Sequence, residues 1–222
     1  MVLPSEDPSL WNKWKNWTQP SQWVIDYMQT FNETTGCNMY VWPVGIDTEK
    51  FIPIGNGRKH FDCFVYYKNV TQQTPIQKLQ RIQDVLNKKG ISHAVITYGQ
   101  YDEDGFRRLM KKCKFGIFLT GTESQGIAYM EALSSGIPLI IIEEKVFAYS
   151  NYSFSNANVS AAPYFDDRCG EKIDINDFDL KIGSFIQKLK FFNPREYIIE
   201  NHTLEKGAQK YYDILLKIND LV

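Results

Sequence analysis

The 222-residue sequence has no surplus of charge of either sign. Its 25 Lys and Arg against 26 Asp and Glu leave a net charge of −1. It therefore lacks the basic footprint of a nucleic-acid binder or of a protein held on acidic membranes. Cysteine is sparse: Cys37, Cys63, Cys113 and Cys169 are widely separated, with no Cys-x-x-Cys pair. That argues against zinc and dithiol motifs and fits reduced thiols in a cytosolic protein. His60, His93 and His202 stand far apart, none with a carboxylate at ligand spacing, so neither a metal site nor a catalytic histidine is assigned. No apolar run approaches the roughly 20 residues of a membrane span. No leader peptide is expected, so the sequons at Asn16, Asn32, Asn69, Asn151, Asn158 and Asn201 carry no meaning in a cytosolic setting. Also missing are a Gly-x-Gly-x-x-Gly after the first strand and an acidic phospho-acceptor cluster. Dinucleotide-binding and response-regulator-like domains are set aside on that ground.

What is present is a regular alternation of strands and helices. Hydrophobic residues make up 43%, enough for a sizeable core, and the length allows one large domain or one and a half. Residues 61–67 read as a strand. Residues 75–88 read as a helix with Ile76, Leu79, Ile82, Val85 and Leu86 at a period near 3.6. Strands are expected at 94–98, 115–119 and 139–142, with a further one at 161–165. Helices are expected at 104–113, 174–190, 194–201 and from Thr203 on. Such alternation argues a doubly wound parallel sheet, class α/β. Ahead of it, Trp11, Trp14 and Trp17 recur every third residue, near one face of a helix; packing is the preferred reading over an aromatic sugar platform. Gln22–Met28 is expected as a helix capped by Ser21, and the Ser- and Asn-rich residues 147–160 as a mobile loop.

The stretch from Thr120 to Pro138 organises the rest. A strand stops at Thr120-Gly121-Thr122, a helix is expected to begin near Ser124 or Gln125, and Gly136 ends it. Glu123 lies in the loop and Glu131 on the helix, with seven residues between them. Ligands of open α/β sheets sit outside the carboxyl ends of the strands. A helix start there aims free N–H groups and positive dipole at an anion. An anion seat beside two hydroxyl-accepting carboxylates suits a sugar joined to a nucleotide diphosphate. The alternative is an ordinary surface helix with solvated acids.

Glu123-Ser124-Gln125-Gly126-Ile127 through Glu131-Ala132-Leu133-Ser134-Ser135-Gly136-Ile137-Pro138 resembles the signature of retaining, nucleotide-sugar-dependent glycosyltransferases of the GT-B fold. Trp42-Pro43-Val44-Gly45-Ile46-Asp47-Thr48-Glu49-Lys50-Phe51-Ile52-Pro53 resembles the crossover that enters their C-terminal, donor-binding domain. Residues 162–170 and 193–201 resemble a branch met partly in large DNA viruses. The resemblance implies three parts: residues 1–45 as a short helical N-terminal remnant and crossover, 46–202 as the Rossmann-like donor domain, and 203–222 as a helix packing back on the N-terminal segment. It implies a nucleotide sugar as co-substrate, a glycan acceptor, no cofactor or metal, and a cytoplasmic setting, the host's if the chain is viral. Glu131 is expected to take the ribose hydroxyls, and Glu123, expected as a catalytic carboxylate, the sugar's, orienting its anomeric carbon. Ser124 and the N–H groups of Gln125, Gly126 and Ile127 are expected to hold sugar or phosphate oxygens. Lys68 is expected as a phosphate-facing catalytic cation and Tyr98 near the base. Gln72 and Gln73 occupy the usual place of a second cation, leaving Arg168 as the expected donor-binding substitute, with Lys172 and Arg195 as other candidates. For Lys68, Tyr98, Glu131 and Arg168 the bland alternatives are a solvated lysine, packing, a structural bond, and pairing with Asp166 or Asp167. Only about 40 residues precede the crossover, so a truncated or minimal enzyme is expected, with a partner chain or second copy standing in for the acceptor domain. The rival reading is a non-catalytic nucleotide-sugar-binding subunit.

Overall fold

The computed structural model describes residues 7–53, 59–70, 73–149 and 152–219. A small N-terminal unit comes first: helix α1 (Pro8–Lys13), strand β1 (Asn16–Gln19), helix α2 (Gln22–Met28) and strand β2 (Asn38–Val41), the two strands pairing in parallel. The Rossmann-like body follows as β3 (Cys63–Tyr67), α3 (Ile76–Lys88), β4 (His93–Thr97), α4 (Glu103–Lys111), β5 (Phe115–Leu119), α5 (Ile127–Ser134) and β6 (Leu139–Ile142). Then come a hairpin of β7 (Phe147–Tyr149) and β8 (Tyr152–Phe154), strand β9 (Gly170–Ile173), and helices α6 (Phe178–Lys188), α7 (Pro194–Asn201) and α8 (Leu204–Asn219).

Five strands run parallel in the order β4-β3-β5-β6-β9. The middle ones are apolar at every position because helices cover both faces. On β3, Cys63, Val65 and Tyr67 face the layer containing Leu79, Ile82 and Leu86 of α3 and Ile182 and Phe185 of α6. Phe64 and Tyr66 face the layer containing Phe106 of α4 and Tyr129, Met130 and Leu133 of α5. Each fully buried large side chain contributes about 1.5–3 kcal/mol relative to exposure, so the two layers hold the sheet from both sides. The chain leaves β3 outward to β4, then crosses back to β5. That reversal between β3 and β5 is a topological switch point, where a crevice opens at the carboxyl ends of the strands.

The crossover 42–53 is pinned at both ends. Gly45 lies so close to α8 that a Cβ there would sit 2.3 Å from the Thr203 carbonyl oxygen, and one on Gly207 2.7 Å from the Gly45 nitrogen. Trp42 donates its indole N–H to the Gly207 carbonyl at 2.9 Å and packs against Tyr211, ring centres 4.7 Å apart. Arg195 of α7 donates to the carbonyls of Thr48, Phe51 and Ser134, tying crossover to α5.

Four expectations need correction. The fifth strand is β9, not 161–165: Pro163 has no N–H to give a ladder, while the polar Glu171 and Lys172 fit an edge strand. Residues 147–149 and 152–154 pair as antiparallel strands rather than lying in a mobile loop, because Phe147 and Phe154 pack on Tyr27 with ring centres 5.0 and 5.4 Å away. The three tryptophans do not share a helix face. Helix α1 ends at Lys13, Trp17 lies on β1 and stacks on Trp11 at 4.0 Å, and Trp14 is exposed. Helix α5 begins at Ile127, not at Ser124 or Gln125, since Gly126 stands in the left-handed region with φ 82°.

Candidate functional site: a two-lobed crevice at the switch point

Two loops reach the crevice from the adjacent strands β3 and β5. Lys68 follows β3 directly, its backbone N–H bonded to the Leu119 carbonyl at 3.0 Å. Glu123 follows β5 by four residues. The Lys68 ammonium lies 2.8 and 2.9 Å from the two carboxylate oxygens of Glu123. Glu123 is only 8% exposed, and burial pushes its pKa up while Lys68 works the other way. Its backbone is clamped as well. The N–H donates to the Ser160 carbonyl at 3.1 Å, and the carbonyl accepts the Trp23 indole N–H at 2.9 Å. Ser160 is itself held by the Glu143 carboxylate at 3.0 Å.

Beyond Glu123 the loop turns into α5. A Cβ on Gly126 would lie 2.2 Å from the Tyr129 ring, so glycine is required both for φ and for room. Among the described residues the N–H groups of Gln125, Gly126 and Ile127 have no protein acceptor. They are the open positive end of the helix. The Gln125 side chain is already committed: its oxygen accepts from Val44 N–H at 3.0 Å and its amide donates to the Val44 carbonyl at 2.7 Å. Gln125 thus offers backbone, not side chain.

Two hollows meet at this pair. One, about 370 Å³, is lined by Tyr66, Tyr98 and the residues from Gln125 to Tyr129. The other, about 310 Å³, is lined by Trp23, Val70, Thr122, Phe147 and Tyr149. They share Lys68, Thr120, Glu123 and Ser124. Lys68 is the only basic side chain lining either, among the described residues. Tyr98 is half exposed, its ring centre 5.1 Å from the Lys68 ammonium.

Glu131 stands one turn along α5 and does not line either hollow. Both acids act electrostatically on the Tyr101 hydroxyl, which is hydrogen-bonded to the Tyr66 hydroxyl at 2.7 Å. Burial, then the like charge of Glu103, raises the Glu131 pKa to about 7, with Lys50 opposing. Lys50 is paired with Glu103 at 2.7 Å. Among the described residues the Glu131 carboxylate accepts no hydrogen bond and joins no ion pair.

The structure does not bring Arg168 to the crevice. Its guanidinium grips Asp166 at 2.8 and 3.0 Å, reaches Glu200, and lies over Tyr197. Lys172 is held by Ser160 and Glu143, and Arg195 by the three carbonyls named above. Gln73 acts as a brace instead of a cation: its oxygen accepts from Thr122 N–H and hydroxyl at 3.2 and 3.0 Å. Gln72 lies outside the described residues. Burial, then the like charge of Lys210, pushes the His202 imidazole down to about 4. No group of three or more His, Cys, Asp and Glu side chains among the described residues is placed to hold a metal ion. Trp23, Thr122, Phe147 and Tyr149 are lining residues that the sequence reading missed. Trp23 meets Glu123 across a hundred positions, a contact without local signal.

No protein-family model and no curated protein sequence matches this chain. Solved structures do. A mutant of S. aureus TarM in complex with fondaparinux, α-GlcNAc-glycerol and UDP superposes with a TM-score of 0.65 at 15% identity, over 93% of this chain and 45% of that one. The pneumococcal O-GlcNAc transferase GtfA in complex with UDP and GlcNAc gives 0.64 at 13% identity, over 97% and 47%. Sucrose-phosphate synthase from Thermosynechococcus elongatus gives 0.63 at 13%, over 93% and 59%. The chain thus spans about half the length of these neighbours. At such identity the likeness is one of fold: the body is a Rossmann-like domain of the GT-B type. No described helix is long and apolar enough to cross a membrane.

Proposed function

We propose that this chain is the donor-binding half of a glycosyltransferase, passing a sugar from a nucleotide-sugar donor to a glycan acceptor with retention and without a metal. The observation that carries this reading is the meeting, at the switch point, of the Lys68–Glu123 pair and an open helix start, with an acid that is half-buried and unpartnered among the described residues one turn along the same helix. The diphosphate sits against Lys68 and the N–H groups of Gln125, Gly126 and Ile127, which stabilise the charge that develops as it leaves. Glu131 accepts the two ribose hydroxyls, one per carboxylate oxygen. Glu123, clamped at three points, orients the sugar hydroxyls beside Ser124, and Tyr98 borders the base. The Glu123 and Glu131 spacing is read as the donor signature of that family. Retention requires the acceptor oxygen to arrive on the face the diphosphate leaves, so Lys68 stands beside both bonds.

The GT-B likeness of the fold supports this reading, and so do the UDP, GlcNAc and GlcNAc-glycerol held by two of the neighbours. A cytosolic setting rests on the four unpaired thiols; a disulfide in the native protein would count against it. The deciding experiment gives the purified chain a panel of nucleotide hexoses with EDTA present. Transfer or slow hydrolysis with a retained anomeric centre is expected; an inverted product or strict manganese dependence overturns the reading.

The rival reading is a non-catalytic nucleotide-sugar-binding subunit. Tight binding of the donor with no turnover, and turnover restored by a partner chain, would select it.

A further inference from the structure

A reaction between two substrates needs pockets that open onto each other. The attacking oxygen must come within about 3–3.5 Å of the atom it bonds. The pocket for the second substrate must therefore share a rim with the first. The two hollows here do so, at Lys68 and Glu123.

Their chemistry differs. The hollow beside the start of α5 carries the open N–H groups. The other has one polar wall, Thr122 with Glu123 and Lys68, and one aromatic wall, Trp23, Phe147 and Tyr149. A pyranose ring presents the matching pair: hydroxyls around its edge and C–H bonds on its face. The aromatic wall is anchored. Phe147 packs on Trp23 and Tyr27 with ring centres 5.2 and 5.0 Å away, and Trp23 holds the Glu123 carbonyl. Tyr149 is 41% exposed, so its ring is open to a ligand.

We infer that this second hollow binds the receiving sugar ring of the acceptor against Tyr149, so that the N-terminal unit and the β7–β8 hairpin supply part of the acceptor site from within this chain. The inference rests on the donor reading of the neighbouring hollow. It gives the N-terminal unit a role beyond packing: α2 carries Trp23 into both the pocket wall and the Glu123 clamp.

The test is saturation-transfer NMR on the full chain, with whichever of UDP, GDP or ADP binds it. The probes are the methyl α-glycosides of glucose, galactose, mannose and N-acetylglucosamine. At least one is expected to bind alongside the nucleotide, with saturation strongest on one ring face. Tyr149→Ala is expected to weaken that glycoside about five- to tenfold, in keeping with a lost aromatic contact. Tyr149→Phe should keep it, and nucleotide affinity should stay the same in both variants. Absence of any glycoside signal with nucleotide bound overturns the inference, as does unchanged glycoside affinity in Tyr149→Ala. A glycoside that competes with the nucleotide sugar but not with the bare diphosphate gives the hollow to the donor's own hexose and also overturns it. If none of the nucleotides binds, the donor reading fails first and this inference falls with it.

Discussion

Glu123 and Glu131 belong to one loop–helix unit, yet their surroundings treat buried charge in opposite ways. Glu123 has a lysine on both carboxylate oxygens and a backbone bond on each side. Glu131 has partial burial, the like charge of Glu103 nearby, and no bond among the described residues. The first acid is part of the scaffold that holds the crevice open. The second has no protein partner among the described residues, and the fold carries its desolvation unrelieved.

The largest effect that would break this contrast is loss of the Lys68 ammonium. Lys68→Met strands a buried carboxylate and is expected to lower stability by about 2–4 kcal/mol at pH 8, read from urea unfolding. The Glu123 pKa is already raised in the fold, so protonation at low pH removes the stranded charge and the penalty should shrink towards pH 5. An equal penalty at both pH values would contradict the pairing. Next comes Trp23→Phe, which keeps the ring packing but removes the indole donor to the Glu123 carbonyl; about 1–2 kcal/mol is expected. A loss indistinguishable from zero would mean that bond is not holding the loop.

Glu131→Gln should move stability the other way. The folded state keeps a proton on Glu131 up to about pH 7, against an ordinary value of 4.5. It therefore binds more protons than the unfolded chain between those values, and stability falls as pH rises through that window. Removing the charge is expected to stabilise by roughly 1–3 kcal/mol at pH 8 and by nothing near pH 4.5. A destabilised variant at pH 8 would show that Glu131 has a protein partner after all. Smallest is Arg168→Ala, which breaks pairs at a partly exposed site. About 0.5–1 kcal/mol is expected, with nucleotide affinity unchanged; a severalfold affinity loss by calorimetry would return Arg168 to the donor site.

Much of this arrangement is legible in the sequence, for identifiable reasons. The helix at 76–88 and the strands at 115–119 and 139–142 follow from hydrophobic period and length. The Lys68 and Glu123 loops follow from where those strands end. What is illegible depends on distant contacts. Strands β7 and β8 have three residues each, too few for a pattern, and exist because Phe147 and Phe154 find Tyr27. Strand β9 reads as loop because two of its four residues are charged. The start of α5 is illegible because Gly126 ends the loop as a left-handed residue, which residue type alone does not reveal. Arg168 looked available in sequence; Glu200, its second partner, is 32 positions away.

The contrast between the two acids is tested most directly by nucleoside-diphosphate affinity as a function of pH, measured by calorimetry for the wild type and Glu131→Gln side by side. Taking the ratio of the two affinities cancels the titration of the phosphate itself. The ratio should lie near one at pH 5.5, where Glu131 is protonated, and grow severalfold in favour of the wild type by pH 8. A ratio that stays at one across the range would contradict a ligand role for Glu131.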